Sequence, residues 1–276
     1  MKKLSLLFFS AFFAVIILNA QEHQLVKLWE TDSVLKVPES VYYDEGGKVL
    51  YVANIEGDQP WEKDGKGFIS RVSPDGKILD LQWVSGLNAP KGMGLHKNRL
   101  YVADLTEIVV IDVKKGKIVE KIQVEGAQGL NDISVAGDGT IYVSDSRAKK
   151  ILTVKNGKSE VYLQNLNGPN GVLVAGKDFL IVDNGSLFRV ASDKSMTLLA
   201  EGMEGGTDGI EQVKPGEYIV SCWAGAIWLV TQGKKESLLD TRELKINSAD
   251  IGYDARNRIV YVPTFWKNSV VAYSLK

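Results

Sequence analysis

The chain has 276 residues, 45% of them hydrophobic, with 33 basic and 34 acidic residues of mixed placement. That is long enough for one large domain or two small ones, and too apolar and charge-balanced for wholesale disorder. The near-neutral, slightly acidic balance gives no electrostatic footprint for nucleic acid, so no nucleic-acid partner is expected.

The first element reads as a leader. "MKK" precedes an apolar run over residues 4–18 and then "NAQ", with the small residue Ala20 at the cleavage position. This order predicts a signal peptide over residues 1–20 and an exported, periplasmic or secreted, protein. The run is short for a membrane span, so no stable membrane insertion is expected after cleavage. Loss of Lys2 and Lys3 takes the formal charge from −1 to −3. One cysteine, Cys222 in "YIVSCW", excludes an internal disulfide and reads as a buried, inert thiol.

Residues 21–276 are expected to form a single domain built from a sixfold repeat. "LYVAN", "LYVAD", "IYVSD", "FLIVD", "EYIVS" and "VYVPT" begin at residues 50, 100, 141, 179, 217 and 260. Each is rich in Tyr, Val and Ile and follows a turn: "DEGGK", "HKN", "GDG", "GKD", "KPG" and "DARN". Spacings near 40 residues are those of four-stranded propeller blades. The fold class predicted is therefore all-β, a six-bladed β-propeller with little helix. The last unit supplies about three strands, and "HQLVKLWETDS" has no unit of its own. The mature N-terminus should therefore supply the missing strand and close the ring, which protects sheet edges.

A column of residues recurs at the start of each innermost strand: Glu39, Lys91, Asn131, Asn170, Asp208 and Ala249. In a propeller these positions converge on the axis. The next column is Ser40, Gly92, Asp132, Gly171, Gly209 and Asp250. Two carboxylates and two amides at one point suit a hard divalent cation, Ca²⁺ first, and the absence of His and Cys from the column argues against Zn²⁺. The alternative is that these polar groups satisfy one another and ordered water. Loops after the second strands surround the same mouth, and Trp61, Trp223 and Trp266 are expected there as substrate contacts. Asp104, Asp145 and Asp183 end second strands and are expected to bind nearby loop backbone.

With these motifs in place, the chain resembles the SMP-30/gluconolactonase/luciferin-regenerating-enzyme family. The resemblance rests on Glu39 in "VPES", Asn131 in "LNDIS", Asn170 in "GPNGV" and Asp208 in "GTDGI", over roughly residues 30–276. It implies one central divalent cation held by Glu39, Asn131, Asn170 and Asp208. It also implies a metal-dependent hydrolase acting on a lactone or related ester, with Asp208 as general base and Asp132 as the alternative. Two departures stand out. The Arg that family lactonases often carry two residues before the first Asn is Gly129 here, and Lys91 stands in the ligand column. Lys91 is expected either to bind a substrate anion, such as that of an acidic sugar lactone, or to pair with Glu39 or Asp208. The strand ends "YVAD" and "YVSD" also resemble those of NHL-repeat propellers, which leaves a non-catalytic binding protein as the second reading.

Overall fold

The computed structural model describes residues 23–231 and 233–276. The expected signal peptide lies outside the described residues. The described chain folds into six four-stranded antiparallel sheets, and the only helix among them is the short 3-10 turn Phe265–Lys267. No helix among the described residues is long and apolar enough to cross a membrane.

The innermost strands are Pro38–Asp44, Pro90–His96, Leu130–Val135, Pro169–Ala175, Thr207–Lys214 and Gly252–Asp254. Each contacts the innermost strand of the next blade, which makes the six-bladed β-propeller expected from the repeat. Ring closure is also as expected. Leu25–Glu30 pairs antiparallel with Val270–Leu275 and becomes the outer strand of the sixth blade.

The core lies between blades. One cluster joins Tyr51, Ala53 and Ile69 of the first blade to Met93, Leu100 and Val102 of the second. The alternation of Val, Ile, Leu and Tyr along the second strands supplies these contacts, since successive side chains face opposite neighbours. The hairpin turns solve one backbone problem six times. Lys48, Lys97, Gly139, Gly176, Gly216 and Arg258 all take positive φ, between 49° and 83°. Glycine is the low-strain residue there, and half the blades do without it.

The strand-end acids latch the approach to the axis. Asp104 accepts N–H bonds from Asn88 and Ala89, Asp145 from Gln128 and Gly129, and Asp183 from Asn167 and Gly168. Asn54 does the same for Lys36. The latched residues lie two or three positions before Glu39, Lys91, Asn131 and Asn170. The repeated "YVAN/YVAD/YVSD" strand ends are thus what holds the mouth in shape.

Candidate functional site at the mouth of the channel

Each of five inner strands loses its pairing register at the column residues. The breaks fall between Pro38 and Ser40, Pro90 and Met93, Leu130 and Ile133, Pro169 and Val172, and Thr207 and Ile210. A bulge re-aims side chains that a regular ladder would alternate across the sheet. Here the result is that Glu39, Lys91, Asn131, Asn170 and Asp208 all line one cavity of about 360 Å³. Ala249 is buried instead in a cluster with Val37, Ile55 and Phe265, against which Trp61 packs.

The three tryptophans reach the same cavity, together with Phe265. Trp61 comes from the long loop of the first blade. Its ring lies 4.3 Å from Lys91 Nζ and 4.7 Å from the Arg147 guanidinium carbon. Loops of the fifth and sixth blades bring Trp223 and Trp266, which meet Phe265 edge-on at 5.5 and 4.8 Å. Phe265 holds a φ of 50°. For a bulky residue that is a strained conformation, of the kind concentrated at ligand sites.

Inside the ring, Lys91 Nζ lies 3.6 Å from Glu39 Oε1, with both side chains almost wholly buried. Asn170 Nδ2 donates to Asp208 Oδ1 at 2.9 Å. Asn131 Nδ2 donates to Ser146 Oγ at 3.1 Å, and that hydroxyl donates to the Pro169 carbonyl at 2.6 Å. Two buried oxygens are left without a partner: Glu39 Oε2 and Asn170 Oδ1. The second follows from the first contact of the amide, since turning N–H toward Asp208 leaves Asn170 with its acceptor pointing elsewhere. A buried acceptor left unsatisfied costs about 1–3 kcal/mol. Two in one ring fit a cation.

The donor set is oxygen only, which suits Ca²⁺ or a similar hard ion. Among the described residues no group of three or more His, Cys, Asp or Glu is placed to hold a metal. The amides of Asn131 and Asn170 are therefore needed to complete any site here. Burial pushes the Glu39 carboxyl above its ordinary range, against the pull of Lys91. Asp208 is pushed well above it by burial and by the neighbouring Glu39 and Asp250, opposed by Lys91 and the Asn170 hydrogen bond. A cation would reverse both shifts by favouring the charged forms.

Asp132 differs in placement from the expected alternative base. Its Oδ1 accepts the Ile133 N–H and its Oδ2 the Val172 N–H, both at 2.7 Å. It faces a second cavity of about 260 Å³ further along the inner strands, shared with Ser40, Glu211 and Asp250. Asp250 Oδ2 accepts the Ser40 hydroxyl at 2.6 Å, and its carboxyl is pushed up to about 7 by burial. The second column is thus a packing ring. A Cβ at Gly92 would stand 2.2 Å from Asp132 Oδ1, and one at Gly209 2.3 Å from Asp250 Oδ1. Glycine stands at positions 92, 171 and 209 because neighbouring inner strands nearly touch there.

Sequence reasoning missed Phe265, Ser146 and Arg147. Phe265 sits beside Trp266 in "PTFW", a local aromatic signal that could have included it. Ser146 and Arg147 lie in "SDSRAKK", which reads as an ordinary basic turn. Cys222 is fully buried with its Sγ on the Met203 carbonyl, and burial pushes the thiol up to about 12. The burial is as expected.

No family profile matches the sequence, and no curated protein sequence matches it. Solved structures share the fold. A putative gluconolactonase is 14% identical with a TM-score of 0.70, covering 92% of this chain and 93% of that one. A gluconolactonase from Xanthomonas campestris is 14% identical with a TM-score of 0.68, covering 92% and 90%. A catalytically inactive variant of virginiamycin B lyase from Staphylococcus aureus, solved with quinupristin, is 13% identical with a TM-score of 0.64, covering 92% and 99%. At such identities these likenesses establish the propeller fold and nothing finer about the site.

Proposed function

We propose that this chain is an exported hydrolase of the SMP-30/gluconolactonase type, acting on a lactone or related ester with the help of one divalent cation, most simply Ca²⁺. The observation that carries this reading is the pair of buried, unpartnered oxygens, Glu39 Oε2 and Asn170 Oδ1, in a ring with Asp208 and Asn131. Glu39, Asn131, Asn170 and Asp208 would hold the ion. When bound, it supplies polarisation of a carbonyl oxygen and a more acidic water.

The chain's own residues do the rest. Asn170 orients Asp208 through Oδ1, which leaves Oδ2 to take a proton from water and return it to the leaving oxygen. Ser146 fixes Asn131 against the Pro169 carbonyl. Trp61, Trp223 and Trp266 wall the cavity and limit water around a bound ring. The gluconolactonases that share the fold give the substrate class its support.

The buried Lys91–Glu39 pair favours the second reading, a non-catalytic binding propeller, because it partly neutralises the ring without any ion. Chelation decides between them. Ca²⁺ at a hundredfold excess over Kd adds about 2.7 kcal/mol to native stability. In a domain of this size that is a melting shift of roughly 5–11 °C. We expect this shift to vanish with chelator and return with Ca²⁺, alongside hydrolysis of a lactone panel followed by acid release. Unchanged melting after verified metal removal, with no heat on Ca²⁺ titration, would rule out the cation site. A restored Ca²⁺ shift without turnover of any lactone would leave the binding protein.

A further inference from the structure

Lys91 is committed inside the ring, yet the mouth carries a second cation that no acid claims. Arg147 is exposed, and among the described residues no carboxylate forms an ion pair with it. Its nearest acid in the chain, Asp145, is already filled by the N–H groups of Gln128, Gly129 and Ala148. The guanidinium instead lies over the Trp61 ring, 4.7 Å from its centre.

Its stem runs through the space of a missing side chain. A Cβ at position 129 would stand 2.7 Å from Arg147 Cγ, 2.8 Å from Cδ and 3.0 Å from the Trp61 ring. Gly129 does not take the left-handed backbone that usually demands glycine. Its lack of a side chain therefore serves space, and Arg147 and Trp61 fill that space together.

We propose that Arg147, laid across Gly129 and stacked on Trp61, binds the anionic group of the ligand that enters the mouth, and that Lys91 does not. A guanidinium held over an aromatic ring still offers N–H groups to a carboxylate or phosphate in bidentate geometry. The contact with Trp61 also orders the side chain before the ligand arrives, which lowers the entropy cost of binding. Lining the same cavity as Trp61, Trp223 and Trp266 are 39% and 45% exposed, large for aromatic residues without a partner surface. They suit the apolar face of a sugar or other small ring. The ligand class is thus a small cyclic or polyol acid, with its ring or chain on the tryptophans and its anion on Arg147. This rests on the proposed function only in placing the site at this mouth, because binding needs no turnover.

The test is calorimetric titration of the full chain with gluconate and glucuronate as acidic probes and glucose as the neutral one. Wild type, Arg147→Gln and Gly129→Ala are compared, with melting curves to establish folding. Loss of a charge-assisted hydrogen bond should weaken the acids about tenfold or more in Arg147→Gln and leave glucose unchanged. Gly129→Ala keeps the arginine but displaces its stem, so it should weaken the acids in the same direction. Equal affinity of wild type and Arg147→Gln for the acids overturns the proposal, as does a wild type that binds neither acid at millimolar concentration. Lactone turnover in the same samples separates the two readings. Arg147-dependent acid binding without hydrolysis keeps this assignment and removes the hydrolase, whereas hydrolysis without acid binding does the reverse.

Discussion

Gly171→Ala should damage the site from within the packing ring. An ideal Cβ at this position falls 2.1 Å from the Asp208 carbonyl oxygen, 3.1 Å from Ile210 Cγ1 and 3.2 Å from the Asp208 carbonyl carbon. The blocking atom is backbone, so no rotamer change relieves it. An ordinary carbon–oxygen contact needs about 1 Å more, and neighbouring inner strands must part by that amount. Overpacking of this kind costs about 1–3 kcal/mol, or roughly 2–12 °C of melting temperature in a domain of this size. Asn170 precedes Gly171, and Asp208 carries the clashing carbonyl, so both halves of their 2.9 Å hydrogen bond move together. Cation affinity should therefore fall beyond what the stability loss explains. Gly168→Ala is the control. Its Cβ would meet only Asn184, at 3.9 Å and beyond, with no positive φ to strain. It should be neutral or stabilising by up to about 1 kcal/mol. Thermal unfolding by circular dichroism and Ca²⁺ titration read both variants. If Gly171→Ala melts and binds Ca²⁺ like wild type, the close approach of the inner strands is not as described.

Two further predictions concern charge in the channel. Lys91→Met leaves Glu39 buried without its counter-ion. In chelator at pH 8 we expect destabilisation of about 3 kcal/mol, shrinking toward pH 5 as Glu39 takes a proton, and a larger recovery on Ca²⁺ addition than in wild type. Equal stability of the two proteins at pH 8 would show that the pair is idle. Glu211 is pushed well above the ordinary carboxyl range by burial and by Asp250, against one hydrogen bond from the Tyr253 N–H. The folded state thus holds this proton more tightly than the unfolded chain. Stability from it is complete below about pH 4 and is lost as pH rises through the shifted pKa. Glu211→Gln should flatten this decline, raising the chelated melting temperature at pH 8 by several degrees and hardly altering it at pH 4. A wild-type-like pH profile in the variant would refute the assignment.

The repeat, the six blades and the strand that closes the ring were legible in the sequence because they are written locally. Apolar alternation, Gly–Asn–Asp turns and a period near 40 residues each depend on neighbours in the chain. Five members of the axial column, all but Ala249, were legible for the same reason, once the blade topology told which strand is innermost. Which column member meets which was not. Lys91 could pair inward or face a ligand, and the choice was made by Glu39, 52 positions earlier in the chain and one blade away. Asp132 follows Asn131 directly, yet a bulge and the Val172 N–H turn it into the deeper cavity. Ser40 and Asp250 meet across 210 residues only because the ring closes. Arg147 looks like a turn lysine's neighbour until Gly129 and Trp61, from two different blades, make a bed for it. Contacts between blades depend on sub-ångström placement of backbones that the chain brings together from far apart, and no local pattern of residue types encodes that distance.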